Sequence, residues 1–132
     1  MQRFEVSTHQ RDELVDITSQ VQRVVDESGV KDGLAVVFVP HTTAGITINE
    51  HADPAVAKDI IYRLDKQIAW SDSGYRHREG NSASHIKASL MGSSVSVIVS
   101  AGRLDLGTWQ GVFICEFDGP RRRNVHVKLI SA

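Results

Sequence analysis

Between an apolar run and a helix start, the segment from His41 to Pro54 gathers two imidazoles, His41 and His51, with the amide of Asn49 and the carboxylates of Glu50 and Asp53. Imidazole is both an acid–base group near neutral pH and a common metal ligand. A carboxylate beside it can move a proton or orient the ring. The separation of the two histidines matches no short metal-ligand signature, and turns and caps recruit Thr, Asn and Asp for backbone hydrogen bonding anyway. Asp53 before Pro54 has such a duty as a helix cap, which leaves Glu50 as the better candidate for a general base. Asn49 can hydrogen-bond a substrate through its amide.

A second candidate lies at Gly80-Asn81-Ser82-Ala83-Ser84-His85. If Asn81 caps a helix, the N–H groups of Ser82, Ala83 and Ser84 are free to bind an anion, and a phosphate could dock there. Ser82 and Ser84 add hydroxyl donors, and His85 lies within the first two turns. Downstream, Arg121, Arg122 and Arg123 could meet a phosphate bidentately. In an extended segment three adjacent arginines alternate sides, so they cannot all reach one site, and a solvated turn or a subunit contact competes with that reading. Gly107-Thr108-Trp109-Gln110-Gly111 by itself reads as a hairpin with a packed Trp.

The elements that must position these groups are legible from periodicity. Phe4 and Val6 alternate with polar neighbours in a first strand. Thr18 or Ser19 can cap a helix carrying Val21, Val24 and Val25 on one face and ending at Gly29. Leu34–Val39 is an apolar run of strand length stopped by Pro40, and Gly45–Glu50 alternates with Ile46 and Ile48 toward a core. Pro54 opens a helix with Val56, Ala57, Ile60, Ile61, Leu64 and Ile68 at amphipathic spacing. Residues 69–79 form a polar loop or lid with Trp70, Tyr75, Arg76 and His77. Asn81 starts a third helix that runs through Leu90 and ends at Gly92. Strands Val95–Ser100, Gly111–Asp118 and Asn124–Ile130 follow, the last two joined by a turn at Gly119-Pro120. Strands with inserted helices, without a strict strand–helix repeat, give an α+β class, a sandwich of mainly antiparallel or mixed sheet with two to three helices.

With 132 residues the chain makes one domain, residues 1–132. A formal net charge of −1 provides no basic footprint for nucleic acid, and the aromatic and basic residues of the 69–79 loop are too few to supply one. No run reaches the length of a membrane span, and Met1–Val6 has no apolar leader core, so a cytoplasmic location is expected. The lone cysteine, Cys115, lies in the apolar run Val112–Cys115 and reads as a buried thiol.

Taken in order, His41–Glu50 (HTTAGITINE), Gly80–His85 (GNSASH), Leu106–Gly111 (LGTWQG) and Asp118–Arg121 (DGPR) resemble the YjbQ-like family, small proteins described as secondary thiamine-phosphate synthases, and the resemblance runs over nearly the whole chain. It implies an enzyme joining hydroxymethylpyrimidine pyrophosphate to a thiazole phosphate with release of pyrophosphate. It also implies a homotrimer. His41, His51 and His85 each fall in or beside one of these strings, whereas His9, His77 and His126 do not. Three neutral imidazoles with an open fourth position form a catalytic-type centre for a divalent metal, zinc-like or magnesium. Glu50 and His85 are then the catalytic residues, and Thr42, Asn49, Asn81, Ser82, Ser84, Thr108, Trp109, Gln110 and Arg121 the substrate and phosphate contacts. Matched to the family, Trp109 becomes a pocket wall that stacks on a planar heterocycle, with Gln110 orienting it. A metal-dependent hydrolase of another phosphorylated small molecule, a non-catalytic binding trimer and a purely structural oligomer are the competing readings.

Overall fold

The computed structural model describes residues 1–132. Eight strands and three helices follow in the order β1 (Gln2–Ser7), β2 (Glu13–Asp16), α1 (Thr18–Ser28), β3 (Asp32–Phe38), β4 (Ala44–Glu50), α2 (Pro54–Gln67), α3 (Ser82–Met91), β5 (Ser94–Ser100), β6 (Arg103–Leu104), β7 (Gln110–Glu116) and β8 (Arg122–Ser131). They form a five-stranded sheet, β1-β8-β3-β5-β6, and a three-stranded sheet, β2-β7-β4. Every strand pair is antiparallel, so the class is α+β as expected, with no parallel component.

Side-chain alternation explains the layering. Val125 and Val127 of β8, Ala35 and Val37 of β3, and Val97 and Val99 of β5 point one way from the large sheet. They meet Ile46, Val112 and Ile114 of the small sheet, and Ile17, Val21, Val24 and Val25 of α1, in one continuous core. Fully burying a valine or isoleucine is worth about 1.5–3 kcal/mol, so Ile17 and the three valines are the main attachment of α1 to the sheets. It ends at Gly29, which adopts φ 73°, a left-handed closure open to glycine without strain.

The opposite face of the small sheet is covered too. Cys115 and Phe117, on the other parity of β7 and the residue after it, pack with Ala88 and Met91 of α3 and with Ile61 and Leu64 of α2. β7 is thus buried on both sides, and burial lifts the Cys115 thiol to about 12, too high for a reactive thiolate. The α2 helix keeps its expected cap, the Asp53 carboxylate accepting from Ala55 N–H at 2.9 Å. It is peripheral, however, and none of its apolar residues is fully buried.

The outer face of the large sheet stays partly apolar. Leu34 stands between Ile98 on β5 and Ile130 on β8, and all three are exposed, as is Phe38 beside His126. No helix is long and apolar enough to cross a membrane.

Two helix starts differ from expectation. Thr18 does not cap α1: its hydroxyl donates to Asp16 Oδ1 at 2.5 Å and accepts from Val112 N–H at 2.9 Å. Asn81 does precede α3, yet its side chain makes no cap and instead donates to Asp118 Oδ2 at 2.9 Å. The carboxylate fixes the amide through its Nδ2 donor, and Oδ1, the atom that would accept from the helix N–H groups, is buried without a partner. The short strands β2 and β6 were not anticipated.

Candidate functional site

The motif residues fall into two groups at opposite ends of β4. His41 precedes that strand and His51 follows it. Its seven residues span about 20 Å at about 3.3 Å per residue.

At the first end, His41, Thr42 and His85 line one depression of about 470 Å³ with Ser89 and Ser93. His41 Nε2 accepts from Asn124 N–H at 2.8 Å, which places the proton of the neutral ring on Nδ1. Partial burial and the nearby Arg123 guanidinium hold His41 below the usual histidine range, so the neutral form persists to lower pH. His85 also borders a second depression of about 450 Å³ at the start of α3, lined by Tyr75, Arg76, His77 and Ser82. The His77 ring meets His85 edge-on with centroids 5.2 Å apart, so the 69–79 loop does lean over the helix start.

Beneath this end lies an ion pair that sequence reasoning missed. The Arg123 guanidinium clasps both carboxylate oxygens of Glu116, through Nε at 2.9 Å to Oε1 and through Nη2 to Oε2. Both side chains are buried. Thr8 donates to Glu116 Oε1 at 2.7 Å, and Arg123 also reaches Thr43 Oγ1 at 2.9 Å. The three arginines alternate as their spacing requires. Arg123 turns inward and Arg122 outward, while Arg121 stays at the turn, donating to the Asp118 carbonyl at 3.0 Å.

At the far end, Glu50 and His51 border a cavity of about 630 Å³ between α2 and the strands β2 and β4. Thr108 and Gln110 border an adjoining hollow of about 690 Å³, which His51 and Asp16 share. His51 Nδ1 lies 2.9 Å from Asp16 Oδ2. Burial alone would raise the Asp16 carboxyl, but the Thr18 hydroxyl and N–H, and then His51, hold it below the ordinary range. Asp16 and Thr18 were not singled out as site residues. Their one signal is an Asp two positions before a helix-starting Thr, which reads as simple turn chemistry.

Several expectations change. The three-histidine metal centre is not assembled within one chain. His41 and His85 share a depression, His51 is engaged by Asp16 beyond the other end of β4, and no three His, Cys, Asp or Glu side chains gather to hold an ion. Glu50 and His85 are likewise apart, and the Glu50 carboxylate accepts from Asp53 N–H at 3.2 Å. Ser84 cannot touch a ligand, because it is fully buried and its hydroxyl donates to the Phe117 carbonyl at 2.5 Å. Asn49 turns its Oδ1 to Glu50 N–H at 2.7 Å. Gln110 turns its Oε1 to Gly107 N–H at 2.8 Å. Trp109 stands 62% exposed at the hairpin and lines neither of these hollows.

Comparison with known proteins gives a consistent identity. The family model described as UPF0047 protein YjbQ-like matches residues 2–132. The UPF0047 protein YugU of Bacillus subtilis is 50% identical over 128 residues, covering 97% of this chain and 97% of that protein. The UPF0047 protein MJ1081 of Methanocaldococcus jannaschii is 54% identical, covering 98% of this chain and 93% of its own. A crystal structure of an uncharacterized YjbQ/UPF0047 protein from Clostridium acetobutylicum, 57% identical, superposes with a TM-score of 0.96 over 98% of this chain and 100% of that one. With the family model covering all but the first residue and the relatives matching end to end, this chain belongs to the YjbQ-like UPF0047 family.

Proposed function

We propose that the chain is an enzyme acting on a phosphorylated small molecule whose phosphate sits at the start of α3. The observation that carries this is the missing cap. With the Asn81 amide drawn away to Asp118, the N–H groups of Ser82 and Ala83 have no partner in the chain. Ser82 lines the depression there with Arg76, His77 and His85, while Ala83 is fully buried behind it. Free N–H groups, the positive end of the helix dipole and a guanidinium together favour an anion.

The reaction that the resemblance implies fits such a site. In thiamine-phosphate synthesis the thiazole nitrogen attacks the pyrimidine methylene carbon, a C–N bond forms, and the C–O bond to pyrophosphate breaks with its electron pair leaving on the pyrophosphate. Donors fixed at the α3 start would stabilise the charge gathering there, and His85 is placed to donate to it. The reading leaves the divalent metal that the resemblance implies to ligands shared between copies, since no three gather within one chain. It does include a homotrimer. Glu50 and His85 can serve one pocket only if neighbouring copies bring the two ends of β4 together, and the exposed Leu34, Ile98 and Ile130 face gives copies a surface to cover.

Pyrophosphate titration by calorimetry tests the phosphate site. His85→Ala and Arg76→Ala are each expected to weaken binding about tenfold, the scale of one charge-assisted hydrogen bond. Unchanged affinity in both would sink the assignment. Pyrophosphate release from the two thiamine precursors then separates an enzyme from a binding protein. Sedimentation equilibrium reads the trimer.

A further inference from the structure

The cavity beyond the far end of β4 enters the phosphate reading only through Glu50, yet another of its walls is built with more constraint than packing requires. His51 is fixed from three directions. Its backbone N–H donates to the Trp109 carbonyl at 2.9 Å. Its ring lies against the backbone of Gly111, where a Cβ would come within 2.5 Å of Nδ1. Nδ1 is held by Asp16 Oδ2 at 2.9 Å. Asp16 is itself clamped through Oδ1 by the Thr18 N–H at 2.9 Å and the Thr18 hydroxyl. With Nδ1 donating to a carboxylate, the lone pair of the neutral ring is on Nε2. Nε2 has no partner in the chain, and the side chain is 32% exposed.

The surroundings select what could donate to it. Leu14, Ala57, Ile61 and Phe113 give the cavity of about 630 Å³ an apolar floor, large enough for an aromatic or branched aliphatic body. Glu13, Asp16 and Glu50 stand around it with no lysine or arginine partner, against the single ammonium of Lys58. Asp12, also at the rim, is already neutralised by Lys87 and Arg11. An anion would meet three carboxylates against one ammonium. A bare metal ion would find no three-donor set.

We propose that this cavity binds a small organic cation, a protonated amine on an apolar body, whose ammonium donates to Nε2 of His51. The carboxylates set the sign of the ligand, the apolar floor holds its body, and Asp16 is a positioning residue that fixes the tautomer and the angle of the ring.

Isotope-labelled protein titrated with benzylamine, benzyl alcohol and benzoate tests this by NMR. Benzylamine is expected to give saturable shifts at the His51 imidazole and at the Leu14 and Ile61 amides, with benzyl alcohol at least about tenfold weaker, a difference of about 1.4 kcal/mol, and no response to benzoate. His51→Ala should weaken benzylamine about fivefold or more. Gly111→Ala, which drives the ring off Asp16, should do the same. Equal response to all three probes, no saturable response in the wild type, or unchanged affinity in His51→Ala would each overturn the proposal. None of these readouts depends on the α3 phosphate site, so the two readings fail separately.

Discussion

Replacing Arg123 by Ala is expected to destabilise the folded chain by about 3–5 kcal/mol at neutral pH, because it leaves a buried carboxylate without its counter-charge. Glu116 is fully buried, and burial by itself would raise its carboxyl. The Arg123 guanidinium, the Thr8 hydroxyl and the Asp118 N–H together hold it below the ordinary range. A depressed carboxyl contributes stability that is complete above the unfolded value of about 4.3 and is lost as the pH falls through the lower folded value. In the variant burial prevails and folding favours the protonated acid, so the deficit should shrink as the pH is lowered toward about 4. Denaturant unfolding at several pH values reads both effects. A deficit that is small at neutral pH, or that grows on acidification, would contradict this account.

Lys87→Met should be nearly as costly, about 3–5 kcal/mol. Lys87 lies on α3 with no exposed surface, its ammonium 2.5 Å from Asp12 and 3.0 Å from Asp65. Arg11 bridges the same two carboxylates at 3.0 and 2.8 Å and lies over the Trp70 ring. The cation therefore ties the β1–β2 loop, α2 and α3 to one point. Removing it leaves the almost wholly buried Asp12 with only the part-exposed Arg11 as counter-charge, and costs Asp12 more than the half-exposed Asp65. Adding Asp12→Asn to Lys87→Met should recover part of the loss, and a double-mutant cycle by urea unfolding measures the coupling. A strictly additive pair would show that Lys87 acts through packing alone.

Periodicity located the principal elements because the core is built from strict alternation: Val125 and Val127, Ala35 and Val37, Val97 and Val99. β2 escaped because Glu13–Asp16 is short and has no fully buried residue, and β6 because two residues carry no period. The motif strings led to His41, His51 and His85, but not to their grouping. Which histidines share a surface depends on the path of β4 and on α3 packing against it, neither of which is written in local spacing. The buried charges were hidden for a related reason. Lys87 and Glu116 look like surface residues until partners meet them in the fold: Asp12 from 75 positions away for Lys87, and for Glu116 Arg123 from seven residues on, across the turn, with Thr8 from the other end of the chain. Asn81 shows the same limit, since its amide N–H donates to a carboxylate that follows it by 37 positions, and the side chain so held caps nothing with its Oδ1.

The strand order of the large sheet also bears on how the chain can be made. β8 pairs with both β1 and β3, so the last of the eight strands to be made is the seam between the first and the third. Until it arrives, β1 has no neighbour and the valines of β3 and β5 have no closed core. At about 5–20 residues per second, the early strands wait several seconds in an unfinished sheet. A sheet closed by a pairing between its sequence-distant ends has a high contact order, the class of topology that folds more slowly than one built from local contacts.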